Sequence, residues 1–460
     1  MQATLHALLH AIPGAILRAP ADGAIAFTGV STNSKTVEPG NLFVALRGER
    51  FDAHDFLADV VARGAAAVVV EQVPAGVSVP ALIVGDTRHA LGQIARLWRR
   101  GFDIPVIGVT GSNGKTTVKE MIASILAAAF GDDNYLSTRG NLNNEIGVPL
   151  TLFRLAPRHR AAVIEMGMNH PGEIARLAEI AEPTVGLVNN AQREHQEFMA
   201  SVAAVAEENG AVIKSLGAQA CAVFPADDEY APLWQGYAGH HQAITFGLDG
   251  KPSVTCHWQA ETFGSHLTVT AQGQTFDIHL AAAGVHNVRN ALAACAAALA
   301  IGIDADAIVR GLQSFAPVAG RLQKKQATNG ALVIDDTYNA NPDSVRAAID
   351  VLATAPAPRM LVLGDMGEVG SEGVAFHQEI GAYARQRQID QLFTLGTLAR
   401  HASQAFGNEG RHFDDMDTLN TEVAHVPSGA SVLVKGSRFM QMERVVQRLT
   451  GTSAAQAGGH

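Results

Sequence analysis

Ile104-Pro105-Val106-Ile107-Gly108-Val109-Thr110-Gly111-Ser112-Asn113-Gly114-Lys115-Thr116-Thr117 is the stretch that decides the fold. Residues 104–109 are a short apolar run ended by a glycine turn, the pattern of a strand covered on both faces. Beyond the turn, Val118, Met121, Ile122, Ile125 and Leu126 recur at helical spacing and share one face. Strand, glycine turn and helix together aim backbone N–H groups and the positive end of a helix at an anion. Gly111 and Gly114 let the turn close around phosphate oxygens, with Ser112 and Asn113 between them. Lys115 adds a cation, and the hydroxyl of Thr116, followed by Thr117, is placed for Mg²⁺. The segment predicts an ATP-binding loop of a variant kind, because the pattern G-x-x-x-x-G-K-[ST] asks for glycine where Val109 stands.

Outward from this turn the chain alternates. Strand-like runs at residues 161–164, 184–188 and 220–224 are separated by helical stretches, which is the alternation that builds a parallel sheet. Between about 240 and 282 the pattern becomes strict alternation, with residues 266–270 and 276–280 flanking Gln272-Gly273-Gln274, and predicts an antiparallel hairpin. An alanine-rich helix beginning near Asn287 leads to Pro317-Val318-Ala319-Gly320-Arg321, where proline and glycine interrupt regular structure. Further strands follow at 332–334, 360–363, 391–395 and 432–434. Toward the amino terminus, residues 42–46 and 65–70 read as strands and the first 20 residues as an amphipathic helix. The expected fold is α/β with three domains: a small α/β domain over 1–100, a central doubly wound P-loop ATPase-like domain over 101–316, and a Rossmann-like domain over 317–460.

Composition narrows the partners. A length of 460 residues exceeds what one core organises, and 47% apolar with 17% charged residues suits globular domains. A formal net charge of -10 offers no general basic surface, which argues against nucleic acid as a partner. Three cysteines in no metal-ligand spacing fit a reducing compartment. The start lacks the basic region of a secretory signal, and no apolar run reaches the roughly 20 residues of a membrane span, so no membrane insertion and a cytoplasmic location are expected.

Two clusters extend the phosphate site. Glu165, in Ile164-Glu165-Met166-Gly167-Met168-Asn169, is a carboxylate at a strand's carboxyl end and a candidate Mg²⁺ ligand. Asn189-Asn190-Ala191-Gln192-Arg193-Glu194-His195 ends another strand with a histidine that either holds a second metal or a phosphate, or is simply a satisfied loop residue.

With these pieces placed, the sequence resembles the Mur ligase family, amide-forming enzymes of peptidoglycan precursor synthesis, over nearly its whole length. Thr110-Gly-Ser-Asn-Gly-Lys-Thr116 is similar to that family's shortened phosphate loop, Thr138-Arg-Gly-Asn-Leu-Asn-Asn-Glu-Ile-Gly147 to its substrate loop, His286-Asn-Val-Arg-Asn-Ala-Leu292 to the helix near adenine, and Gly320-Arg321 to the hinge. Asp335-Asp-Thr-Tyr-Asn-Ala-Asn-Pro342, Leu363-Gly-Asp-Met-Gly-Glu368 and Val434-Lys-Gly-Ser-Arg438 look most like the members that add D-alanyl-D-alanine. Ser31-Thr32-Asn33-Ser34 and Gly40-Asn-Leu-Phe-Val-Ala-Leu-Arg47-Gly-Glu-Arg-Phe-Asp-Ala-His-Asp55 resemble their UDP-binding domain.

The resemblance implies an ATP-dependent ligase that joins D-alanyl-D-alanine to UDP-N-acetylmuramoyl tripeptide through an acyl phosphate, as a monomer. It implies Lys115 on the β and γ phosphates, Thr116 and Glu165 on one Mg²⁺, His195 on a second, and Arg321 on the γ phosphate. Asn287 and Asn290, one helical turn apart, would meet the base and Asp335 the ribose. Ser31, Thr32, Arg47 and Asn141 would meet the UDP substrate. Asp336, Tyr338, Asn339 and Asn341 would meet the dipeptide, although Asn341 followed by Pro342 is equally well read as a helix cap. Lys435 and Arg438 are either ligands or solvated charges. Where some members carry a carbamylated lysine, this sequence has Asn209, so either a second Mg²⁺ is held more weakly or the correspondence along that helix shifts by a residue. The competing readings are a folylpolyglutamate synthetase-like amide ligase and a P-loop nucleotide switch.

Overall fold

The computed structural model describes residues 1–18, 25–48, 51–72, 78–194, 197–261 and 263–452. The amino-terminal unit contains β1 (Gln2–Thr4), α1 (Leu5–Ala11), β2 (Ile16–Arg18), β3 (Ala26–Thr28), β4 (Val30–Ser31), β5 (Leu42–Val44), α2 (Leu57–Ala62), β6 (Ala67–Val70), β7 (Ala81–Ile83) and α3 (Thr87–Arg99). Its main sheet runs β2-β7-β6-β5-β4, parallel except for the edge strand β2. The single helix expected over the first 20 residues is in fact a strand, a two-turn helix and a second strand, because Pro13 ends the helix and Gly14 (φ 74°) turns the chain back.

The middle unit holds β8 (Val106–Thr110), α4 (Lys115–Phe130), β9 (Tyr135–Ser137), α5 (Gly147–Leu152), β10 (Ala161–Glu165), α6 (Glu173–Ala181), β11 (Val185–Val188), α7 (Val202–Lys214), β12 (Cys221–Pro225), α8 (Ala231–Ala238), β13 (Gln242–Phe246), β14 (Val254–Glu261), β15 (Gly264–Ala271), β16 (Gln274–Leu280), α9 (Val285–Ala300) and α10 (Ala305–Ser314). These make one nine-stranded sheet, β16-β15-β14-β13-β12-β11-β8-β10-β9, parallel from β14 to β9 and antiparallel in the β14-β15-β16 extension. The hairpin read from the sequence is β15-β16, and β14 adds a third strand beside it.

The carboxyl-terminal unit comprises β17 (Gln323–Gln326), β18 (Leu332–Asp336), α11 (Pro342–Thr354), β19 (Arg359–Gly364), α12 (Gly373–Gln386), β20 (Gln391–Leu395), α13 (Arg400–Phe406), β21 (Gly410–Phe413), α14 (Met416–Val423), β22 (Ser431–Lys435) and α15 (Glu443–Thr450). Its sheet order is β17-β18-β22-β19-β20-β21, with only β17 antiparallel.

Packing explains how the site is positioned. β8 alternates between two cores: Val106 joins the one that also takes Leu5, Leu8, Ile94, Leu177 and Trp234, while Ile107 and Val109 face α4, α9 and α10. The amino-terminal and middle units therefore share a continuous apolar core. Buried Arg99 at the end of α3 reinforces this junction by donating to the carbonyls of Ala181 and Glu182. The carboxyl-terminal sheet has separate cores on its two faces.

Two consequences are measurable. α10 lies so close to the phosphate-loop helix that a Cβ on Gly311 would come within 2.4 Å of Ile125 Cα. Gly311→Ala is expected to cost about 1–3 kcal/mol and to lower the middle unit's transition temperature in scanning calorimetry. His377 is fully buried, its Nε2 accepts from the Met366 N–H, and burial holds its pKa below the ordinary 6.5. The unfolded chain takes up that proton first as pH falls below 6.5, so stability is complete above this value and declines below it. Chemical denaturation across that range should show the decline in the native protein and a shallower one in His377→Gln.

Candidate active site

The phosphate loop leaves the carboxyl end of β8 and enters α4 with conformations only glycine tolerates. Gly111 has φ 132° and Gly114 φ 81°. Crowding adds to this, since a Cβ on Gly114 would lie 2.4 Å from Asn290 Oδ1 and one on Gly111 2.9 Å from Asn189 Cβ. The Gly111 N–H donates to Asn209 Oδ1 (3.0 Å), the Ser112 N–H to the Asn190 carbonyl (3.2 Å) and the Asn113 N–H to Asn190 Oδ1 (2.9 Å). No side chain caps α4, so its first-turn N–H groups are left to face an anion. Lys115 Nζ bridges the Gly111 and Ser112 carbonyls (2.5 and 3.1 Å) and Glu194 Oε1 (2.8 Å).

Beside the loop, Thr116 Oγ1 lies 3.2 Å from Glu165 Oε1, which also accepts from Asn143 Nδ2 (2.8 Å). Glu165 is only 2% exposed, and its Oε2 has no hydrogen-bond partner among the described residues. A buried carboxyl group with an unused oxygen, next to a hydroxyl, is a hard-oxygen donor set that fits Mg²⁺ shared with phosphates. Arg321 reaches the same point, donating from Nη2 to Thr116 Oγ1 (3.1 Å) and stacking over Tyr338 at 4.2 Å.

A cleft of about 1160 Å³ joins these groups. Of the residues expected at the site, Ser112, Asn113, Gly114, Lys115, Thr116, Thr117, Asn141, Glu165, Asn287, Asn290, Arg321, Asp336, Tyr338, Asn339 and Asn341 line it. Asn341 caps α11, its Oδ1 accepting from the Ser344 N–H (2.8 Å), and on the cleft side its Nδ2 donates to Asn113 Oδ1 (2.9 Å). Lys435 is a buried partner of Asp336 (2.6 Å), whereas Arg438 is largely exposed and pairs with Glu443.

Some expected residues are placed elsewhere. Asp335 does not line the cleft: it bonds Lys325 (2.6 Å) and Thr337 Oγ1 (2.7 Å), because adjacent residues of a strand point to opposite faces and Asp336 takes the cleft side. Ser31, Thr32 and Arg47 lie on the amino-terminal unit outside the cleft lining. Arg47 pairs with Asp52 (2.9 Å) and Glu71 (3.3 Å), and its carbonyl accepts from Arg88, which lines the cleft. Gly111 supports the loop from behind, and His195 falls outside the described residues. Asn209 is 1% exposed and braces the loop through Gly111.

Sequence reasoning missed several participants. Asn189 donates to the Asn113 carbonyl (2.8 Å) and to Asn290 Oδ1 (2.9 Å), tying β11, the loop and α9 together. Asn143 holds Glu165, and Glu208 on α7 caps the start of α6 through the Gly172 and Ile174 N–H groups (2.8 Å each), fixing the cleft wall that follows Glu165. Paired asparagines at a strand end were the available signal.

Fold and site together define an α/β enzyme that binds ATP on its central sheet and brings a second α/β unit over the phosphates. Residues 26–99, 109–298 and 320–438 match, in turn, the models for the Mur ligase family catalytic domain, the Mur ligase middle domain and the Mur ligase glutamate ligase domain. The chain belongs to the Mur ligase family and is an ATP-dependent ligase. It is 40% identical to the UDP-N-acetylmuramoyl-tripeptide–D-alanyl-D-alanine ligase of Escherichia coli (strain K12), over 94% of this chain and 96% of that protein. The enzyme of the same name from Bacillus subtilis (strain 168) is 35% identical over 92% and 93%. Among solved structures, MurF from Acinetobacter baumannii superposes with TM-score 0.91 at 34% identity, covering 98% of this chain and 99% of that one. MurF from Thermotoga maritima in complex with ADP gives 0.82 at 28% identity, covering 92% and 97%. No helix among the described residues is long and apolar enough to cross a membrane.

Removing the loop's cation tests the site. Lys115→Ala should lower ligation by about 10²–10³-fold with unchanged circular dichroism. Glu165→Gln should weaken ATP binding in calorimetric titrations with Mg²⁺ far more than in those with EDTA.

Proposed function

We propose that this chain joins D-alanyl-D-alanine to a UDP-N-acetylmuramoyl tripeptide with conversion of ATP to ADP and phosphate. The observation that carries the reading is one cleft in which the phosphate loop faces the Asp336, Tyr338, Asn339 and Asn341 loop, in a chain related over nearly its full length to ligases of that name. A carboxylate is a poor electrophile until one of its oxygens becomes a good leaving group. Transfer of the γ-phosphoryl group to the tripeptide's terminal carboxylate supplies that group. The free amine of the dipeptide then attacks the acyl carbon through a tetrahedral intermediate, forming the amide and releasing phosphate.

Both steps place developing negative charge on oxygen, so preorganised cations and N–H groups contribute most. Lys115 and the first-turn N–H groups of α4 hold the β and γ phosphates, and Arg321 reaches the γ phosphate. Thr116 and Glu165 would hold Mg²⁺, which neutralises phosphate charge, and His195 is assigned to a second ion. Asn287 binds the base, with Asn290 keeping it oriented through its 3.1 Å hydrogen bond. Asn141 meets the sugar or diphosphate, with Ser31, Thr32 and Arg47 on the uridine side. The Lys435–Asp336 pair and Asn339 shape the dipeptide site. A monomer suffices, since all these groups come from one chain.

A folylpolyglutamate synthase from Mycobacterium tuberculosis shares the fold at TM-score 0.62 and 18% identity. One assay separates the readings: phosphate release with ATP, Mg²⁺ and UDP-N-acetylmuramoyl tripeptide, adding D-alanyl-D-alanine, D-alanine or glutamate in turn. Release is expected only with the dipeptide. Turnover without any amine would indicate a nucleotide switch, and turnover on a folate with glutamate the other ligase.

A further inference from the structure

The loop after β11 does two things at once. On one flank it is bonded to the phosphate loop: the Gln192 N–H donates to Ser112 Oγ (2.9 Å) and Asn113 Nδ2 to Gln192 Oε1 (2.7 Å). On the other flank the next residue, Arg193, crosses to the carboxyl-terminal unit. Its N–H donates to Asp343 Oδ2 (2.9 Å), its Nη2 to Asp343 Oδ1 (2.6 Å) and its Nη1 to Glu379 Oε2 (2.7 Å). Its guanidinium lies 5.3 Å from the centre of the Phe376 ring, and Arg346 supports Glu379 from behind (3.1 Å). All three charged groups are at most a third exposed, so the fork is shielded enough for its geometry to matter.

Asp343 lies in the first turn of α11, the helix that follows the dipeptide loop. Among the described residues the other polar links across this seam are the reciprocal carboxamide pair of Asn341 and Asn113 (2.9 and 3.4 Å), Arg321 to Thr116, and the Glu197 N–H to the Glu368 carbonyl (3.2 Å). Arg193 is the one of these that is charged and engages two carboxylates at once, and it stands outside the cleft lining while its partner Asp343 belongs to it.

We propose that Arg193, held by Asp343 and Glu379, is an interdomain clasp keyed to the phosphate loop, and that it is a positioning residue for attack of the amine on the activated carboxyl. This rests on the ligase reading above. Carboxyl activation draws mainly on groups of the middle unit and the hinge, whereas amide formation needs the 336–341 loop held over the phosphates. Loss of the clasp therefore separates the two steps.

The test compares Arg193→Ala, Glu379→Gln and the double variant in the full-length chain. Activation is read as bridge-to-nonbridge oxygen isotope exchange in ATP with tripeptide alone, and ligation as pentapeptide formation. Arg193→Ala should leave exchange unchanged while ligation falls by about 10²-fold with a raised KM for the dipeptide. The double variant should be no worse than Arg193→Ala, as expected for partners in one interaction. Solution scattering with ADP should show a larger radius of gyration for Arg193→Ala than for the native chain. Equal losses in both steps, no loss in either, or identical dimensions would overturn the clasp. Native protein that fails to use D-alanyl-D-alanine while the scattering difference persists would instead overturn the ligase reading.

Discussion

Asn113 stands where three parts of the chain converge, and the rest of the site depends on how it is held. Its N–H is fixed by Asn190, its carbonyl accepts from Asn189, and its carboxamide meets Gln192 and Asn341. A single residue in the turn is thus bonded to the strand end beside it and to the cap of a helix more than 200 positions away. Such a turn is preorganised before any phosphate enters, because its polar groups already have fixed partners rather than mobile water.

That arrangement requires two positions without side chains. Gly114 is pressed against Asn290 and Asn189, and Gly111 against the start of the Asn189-Asn190 pair. The carboxamides fill the space that Cβ atoms would need, so the loop's glycines and the surrounding asparagines form one packing solution. The buried carboxylate of Glu165 completes it, being held by Asn143 on one oxygen and open on the other.

Much of this was legible in the sequence where the signal is local. The strand, glycine turn and helix over residues 104–126 declare themselves through periodicity and punctuation, and the Asn341-Pro342 cap through two adjacent residues. Legibility ends where partners are distant. Nothing near Arg193 in sequence points to Asp343 or Glu379, which lie 150 and 186 positions on. Asp335 and Asp336 are equivalent on paper, and only the register of β18 against β17 and β22 tells which one faces the cleft. The opening residues misled for a local reason, since amphipathic spacing continued past a proline that stops the helix.

The two seams of the molecule differ in kind. The amino-terminal unit is joined to the middle by a shared apolar core, while the carboxyl-terminal unit meets it through ions and amides around the cleft, with Phe263 of the middle unit packed against one of its cores. Added electrolyte weakens the second kind of contact and leaves the first intact or strengthens it. Ionic strength is thereby a selective lever on this architecture: it loosens the carboxyl-terminal seam and spares the amino-terminal one.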